Sequence, residues 1–122
     1  MERIKQFSHS LRHALRGLGY AFKSEKNFQN EIAVTIIVVV AMIYFDLTKT
    51  EMVALIFMIM TVLIMELINT VFERVVDILK PRIHPYARVI KDLMAATVLI
   101  TSIVAVIVGV IIFYPYIQER FF

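Results

Sequence analysis

Hydrophobic and polar positions divide the chain into one periodic segment followed by three nearly continuous ones. Near the N-terminus, Ile4, Phe7, Leu11, Leu15, Leu18 and Phe22 recur at intervals of 3, 4, 4, 3 and 4 residues. That spacing marks one face of an α-helix, predicted over residues 2–23. Lys5, Arg12 and Arg16 flank the stripe, so their stems can follow apolar surface while their charges reach lipid phosphates. An amphipathic helix of this kind lies on a membrane rather than crossing it. Its apolar residues are periodic and no small-residue cleavage site follows, so a signal peptide is not expected. Gly17 and Gly19 weaken the helix, and with Ser24 and Asn27 they predict a bend.

Beyond the bend, Ile32–Phe45, Met52–Met65 and Leu93–Ile117 carry no charge. The third run has 25 residues; as a helix it measures roughly 37 Å and spans a bilayer unaided. The first two have 14 residues each, and their flanks lengthen them. Phe28 and Leu47 extend the first, and Leu67, Ile68, Val71, Phe72, Val75, Val76, Ile78 and Leu79 continue the second. Three transmembrane helices are predicted near residues 28–47, 51–79 and 88–115. The short Asp46–Glu51 link turns between antiparallel spans, and Pro81 and Pro85 predict a helix break in the second link.

Composition agrees with this pattern. Of 122 residues, 60% are hydrophobic and 19% charged, with a mean hydropathy of +0.78. One small domain, residues 1–122, cannot hide that much apolar surface within itself, which leaves lipid as its solvent. The expected fold class is therefore an all-α membrane protein. With no cysteine, disulfides, thiolate zinc sites and thiol nucleophiles are excluded. The net charge is +3, and its distribution sets the topology. Arg3, Lys5, Arg12, Arg16, Lys23 and Lys26 precede the first span, and Arg74, Lys80, Arg82, Arg88 and Lys91 surround the second link. Lys49 stands alone in the first turn, and Arg120 near the C-terminus. Positive charge gathers on the cytoplasmic side, so the N-terminus is expected inside and the C-terminus outside. Tyr44, Phe113, Tyr114 and Tyr116 would then lie at the outer interface.

The segment Met65–Asp77, MELINTVFERVVD, is the informative one. Helical spacing places Glu66, Asn69, Thr70, Glu73 and Asp77 on one face of a helix that begins as a hydrophobic span. An ionisable group near mid-bilayer costs roughly 2.5–3.5 kcal/mol even on lenient scales. Either these acids face protein, a bound ion or a cleft, or the helix has left the membrane by Glu66. Glu25, Glu31, Lys91 and Asp92 are predicted at the same depth, on the inner side. Hard carboxylates suit Mg²⁺, which takes one or two of them and fills its shell with water and phosphate oxygens. Lys91 can meet phosphate as a point charge. The chain has no P-loop and no protein-kinase signature, its only glycines being Gly17, Gly19 and Gly109.

The pattern E-x-x-N-T-x-x-E-x-x-x-D at Glu66–Asp77, followed by His84 and Lys91-Asp92, resembles the prokaryotic diacylglycerol kinase family, which includes undecaprenol kinases. Gly17-Leu18, Ala21-Phe22 and Glu25-Lys26-Asn27-Phe28 upstream fit as well, as does Ala95-Ala96-Thr97-Val98-Leu99 downstream. The resemblance covers nearly the whole chain. It implies a homotrimer in a bacterial cytoplasmic membrane that moves the ATP γ-phosphoryl group onto a membrane lipid alcohol, diacylglycerol or undecaprenol, with Mg²⁺ as cofactor. Nucleic acid is not an expected partner.

Carried over by position, Glu66 matches the catalytic base, and Glu25 and Glu73 match the metal ligands. His13, Glu25, Glu73, His84, Lys91 and Asp92 match nucleotide contacts. Asn69 and Asp77 match site-orienting residues; Glu66, Ala95 and Glu31 match the lipid site. His13 stands where an aromatic contact occurs in the family, and Gln6 where an arginine can occur. On residues alone, Glu25 can instead pair with Lys23, Lys26 or Arg16, Glu73 can bridge Arg74 or Lys80, and Glu31 can be a helix N-terminal charge. A lone intramembrane Glu66 also suits a proton-coupled transporter or channel, although Ile32–Phe45 offers such a path only Thr35.

Overall fold

The computed structural model describes residues 1–79 and 85–122. Four helices follow one another: α1 (Glu2–Ser24), α2 (Lys26–Tyr44), α3 (Lys49–Ile78) and α4 (Pro85–Phe121). Helices α2, α3 and α4 are each long and apolar enough to cross a membrane, which makes this an integral membrane protein. Helix α3 is central, packing on α2 at one side and on α4 at the other.

Burial is inverted relative to a water-soluble bundle. Ile37, Phe57, Val71, Ile78, Val106 and Ile111 are among many large apolar side chains turned outward, whereas Glu66, Asn69 and Thr70 are buried. In hydrocarbon nothing expels an apolar side chain, and a polar one must find protein. The α1 stripe (Ile4, Phe7, Leu11, Leu15, Leu18, Phe22) is exposed along its length, and Ala21 is the buried residue of that helix.

The α2–α3 connection explains why two spans turn back so tightly. Asp46 adopts φ 53 just after α2, a left-handed conformation that Asp tolerates better than most side chains. The Asp46 and Leu47 N–H groups then donate to the Ile43 and Met42 carbonyls, both at 3.2 Å, the pattern of a Schellman ending. Thr48 starts α3 with a capping box, its hydroxyl accepting from Glu51 N–H and its own N–H donating to Glu51 Oε2 at 3.0 Å. Leu47, between the two caps, packs with Met42 and Leu55, with Met52 and Phe113 against them. One leucine thus serves as the apolar contact of the helix end and as the staple of the next start.

Glu51 has a second partner: Tyr116 on α4 donates its hydroxyl to Oε2 at 2.6 Å. Arg120 lies over the Tyr44 ring, 4.9 Å from its centroid. These contacts carry α4 through Pro115 to Phe121, beyond the end expected near residue 115. At its other end α4 begins at Pro85. That proline was expected to break a helix, but in the first turn its missing N–H has no intrahelical partner to lose. Pro81 lies outside the described residues.

The bend between α1 and α2 falls where it was expected, between Ser24 and Asn27. Helix α1 runs unbroken through Gly17 and Gly19, and Glu25 alone is extended (φ −105, ψ 108) between the two helices. Glycine lowers helix propensity by only about 1 kcal/mol and does not itself end a helix. Gln29 completes the junction by donating its side-chain amide to the Phe22 carbonyl at 2.8 Å, satisfying an acceptor that the helix end leaves open.

Thr48→Ala removes the cap of α3 and is expected to destabilise the protein by about 1 kcal/mol. Thr48→Ser should keep most of that contribution. Reversible denaturation in mixed detergent micelles measures both.

Candidate active site

Three segments converge where α3 leaves its purely apolar half. Helix α3 supplies Glu66, Asn69, Thr70, Glu73 and Asp77 on one face. The α1–α2 junction supplies Glu25, the first turns of α2 supply Asn27 and Glu31, and α4 supplies Lys91. Helical spacing fixes the α3 set, while the single extended residue at Glu25 turns the chain so that α2 runs back beside α3.

Glu66 is the centre of this arrangement. It is 2% exposed, Asn69 5% and Thr70 7%, so Glu66 has not emerged into water with the helix end. Asn27 lies beside the Glu66 carboxyl, and the charges of Glu73 and Glu25 reach it. Glu66 in turn acts on Glu31. Glu25, Glu31, Glu66 and Glu73 therefore form one electrostatically connected group. The Thr70 hydroxyl donates to the Glu66 main-chain carbonyl at 3.0 Å, and Asn69 Nδ2 approaches Glu73 Oε1 at 3.5 Å. Among the described residues, Glu66 Oε2, Asn69 Oδ1 and Glu31 Oε2 are buried oxygens with no hydrogen-bond partner. A buried acceptor left in this state is costly. Three at one site suit a donor or a cation brought in by a ligand.

Around this centre lies a ring of charge pairs. Arg74 Nη2 binds Glu25 Oε1, and Arg74 Nε donates to the Tyr20 hydroxyl at 3.0 Å. Arg74 Nη1 stands 3.9 Å from Asp77 Oδ2, while Lys91 Nζ donates to Asp77 Oδ1 at 3.0 Å. Glu25 thus has a cationic partner, though not Lys23, Lys26 or Arg16 as its alternatives suggested. Glu73 keeps Asn69 as its neighbour rather than Arg74.

Other residues singled out in the sequence stand apart. His13 is exposed on α1 with its ring against His9, centroids 4.4 Å apart. Asp92 and Ala95 are exposed on α4, and no salt bridge joins Asp92 to Arg74 or Lys91. His84 lies outside the described residues. Three contributors escape a reading of spacing: Tyr20, Asn27 and Arg74. Arg74 sits three residues before Asp77, which signals a helical pair, but nothing local points to its bond with Tyr20, 54 positions away.

Among the described residues, no three His, Cys, Asp or Glu side chains converge as a finished metal shell. What the site offers is connected carboxylates, with Glu66 and Asn69 oxygens unsatisfied. That fits a hard divalent cation arriving with phosphate oxygens, which needs only one or two protein carboxylates. Beside the acids, a groove of about 690 Å³ runs between α2, α3 and α4 from Asn30 and Glu31 to Tyr114 and Ile117. Its walls are almost entirely apolar.

Comparison with known proteins gives the family. The family described as Prokaryotic diacylglycerol kinase matches residues 12–113. The undecaprenol kinase of Bacillus subtilis is 30% identical over 112 residues, covering 92% of this chain and 91% of that protein. The diacylglycerol kinase of Escherichia coli is 33% identical over 104 residues, 85% of each chain. A diacylglycerol kinase of Synechocystis is 35% identical over 87% of this chain, which spans 61% of that longer relative. The match to the family extends from α1 to the aromatic end of α4 and includes every acid of the connected group, so the chain belongs to the prokaryotic diacylglycerol kinase family.

Proposed function

We propose that this lipid kinase moves the γ-phosphoryl group of ATP onto the hydroxyl of a membrane lipid alcohol, diacylglycerol or undecaprenol, at the cytoplasmic face of a bacterial membrane. The observation that carries the proposal is Glu66: a carboxylate 2% exposed, carrying an unpartnered oxygen, within reach of the charges of two further acids. Phosphoryl transfer needs positioning and charge neutralisation more than covalent participation by the protein. The residues present suit that division of labour.

Glu66 acts as general base. As the lipid oxygen forms its bond to the γ-phosphorus, its proton passes to the Glu66 carboxylate, and the bond between the γ-phosphorus and the bridging oxygen of ADP breaks. Glu25 and Glu73 would hold the Mg²⁺ that accompanies ATP, which supplies charge neutralisation at the phosphates. Asn69 orients Glu73, and Asp77 orients Lys91 toward phosphate. His13, His84 and Asp92 are assigned to the nucleotide's periphery. Glu31 and Ala95 border the path of the lipid headgroup, with Glu31 standing where the apolar groove meets the acids. An acyl or prenyl chain laid in that groove brings its terminal hydroxyl toward Glu66. A homotrimer completes the account, since Glu73 and Asp77 remain partly or largely open within one chain. The amphipathic α1 lies on the inner surface with its apolar stripe in lipid, the N-terminus inside and the C-terminus outside.

A transporter would need polar side chains beyond Glu66. Among the described residues, the groove past Glu31 offers only Thr35, Ser102 and Tyr114, and the Thr35 hydroxyl is already bonded to the Glu31 main-chain carbonyl at 2.8 Å.

Glu66→Gln keeps the size of the side chain and removes the base, so transfer should fall by about 10²–10⁴-fold. ATP-analogue binding and the folded assembly should persist. Radiolabelled ATP with both lipid alcohols in mixed micelles measures this, and near-normal transfer would remove Glu66 from the role. Glu25→Ala and Glu73→Ala, assayed separately, should each raise the Mg²⁺ concentration for half-maximal activity by about tenfold or more, as expected when one of two carboxylate ligands is lost.

A further inference from the structure

We infer that Arg74 is a positioning residue: a three-way clamp from α3 that fixes the α1–α2 hinge and thereby sets the Glu25 carboxylate in the site. The inference rests on the kinase reading for its catalytic consequence, and on geometry alone for the clamp. Glu25 is the one extended residue between two long helices, so rotation about its backbone re-aims both the α1 axis and its own side chain. Little else opposes that rotation. Among the described residues, α1 buries only Ala21 and packs mainly on α2. The Gln29 amide bonds to Phe22 and Lys23 carbonyls close the junction locally without tying it to α3.

Arg74 supplies the missing tie from α3 to the hinge and to the α1 turn before it. Its Nε holds Tyr20 one turn before the hinge, its Nη2 holds Glu25 at the hinge, and its Nη1 faces Asp77 on its own helix. The Arg74 side chain is 46% exposed and that of Glu25 14%, so the Coulomb attraction of the pair alone is screened and small. Its importance is geometric. A planar guanidinium holds several partners in fixed relative directions, which a lysine ammonium cannot do. Because Arg74 takes Oε1 of Glu25, it selects one orientation of that carboxylate while its charge stays beside the acids. Tyr20 acts one step further out, fixing the guanidinium that fixes Glu25.

The test uses the full chain in lipid nanodiscs, comparing wild type with Arg74→Met, Arg74→Lys and Tyr20→Phe. Amide hydrogen exchange without nucleotide reads the clamp directly. Arg74→Met should speed exchange across residues 20–28 by about tenfold, consistent with loss of hydrogen bonds to a charged group, and leave residues 50–58 unchanged. Tyr20→Phe should speed the same amides about threefold. In kinetics at saturating free Mg²⁺, Arg74→Met should raise the KM for Mg·ATP about tenfold while kcat changes by less than about threefold. Arg74→Lys should leave KM raised although the charge is kept. Unchanged exchange in Arg74→Met overturns the clamp. A raised KM in Arg74→Met with wild-type behaviour in both Arg74→Lys and Tyr20→Phe also overturns it, by making Arg74 a simple charge. If wild type transferred phosphate to neither lipid, the kinase reading would fail while the exchange data still decided the clamp.

Discussion

A carboxylate buried inside a bundle whose apolar side chains face outward is the constraint on which the structure turns. Glu66 is nearly inaccessible even within one chain, while Val71, Phe72 and Val75 a turn or two further on are exposed. In water that arrangement would be unstable on both counts. In a bilayer the outward residues cost nothing, and the inward acid must be compensated by what surrounds it. Asn27 beside it and the neighbouring acids cannot do so alone, because Glu25, Glu31 and Glu73 carry the same charge. The site is thus built to be completed by positive charge, and a kinase receives that charge together with its phosphoryl donor.

The two ends of the bundle divide the work. At the hairpin end, Asp46, Leu47, Thr48 and Glu51 stack a helix stop directly on a helix start, and Tyr116 draws α4 onto the same point. This rigid end holds α3 in register with both neighbours. Among the described residues the acidic end holds no comparable apolar core: Ala21, Phe28, Val76 and Ala87 are the buried apolar residues there, and polar bonds take over the connections. A firm scaffold at one end and a polar, adjustable junction at the other suit an enzyme that must admit a water-soluble nucleotide and a lipid at the same depth.

Much of this was legible in the residues. Charge-free runs gave the three spans, since no other environment accepts a 25-residue uncharged stretch. The one-sided recurrence of Glu66, Asn69, Glu73 and Asp77 gave the α3 face of the candidate site, because a helix converts spacing into a face. Boundaries were less legible. Pro85 read as a break yet opens α4, and α4 runs past the end expected near residue 115, held by contacts from Glu51 and Tyr44 that are distant in sequence. The bend expected from Ser24 and Asn27 falls between them, at Glu25, whereas Gly17 and Gly19 lie within an unbroken α1. Long-range pairing was invisible. Tyr20 and Arg74 meet only because α1 folds back toward α3, and a local pattern carries no record of that.

The central claim is that Glu25, Glu66 and Glu73 share one space with a divalent ion and nucleotide phosphate. Paramagnetic Mn²⁺, added with a non-hydrolysable ATP analogue to protein carrying ¹³C-labelled glutamate carboxyls, tests it most directly. The account predicts strong relaxation of the Glu25, Glu66 and Glu73 signals, with Glu51 and Glu119 at the far end unaffected. Relaxation confined to exposed acids, with Glu66 untouched, would contradict it.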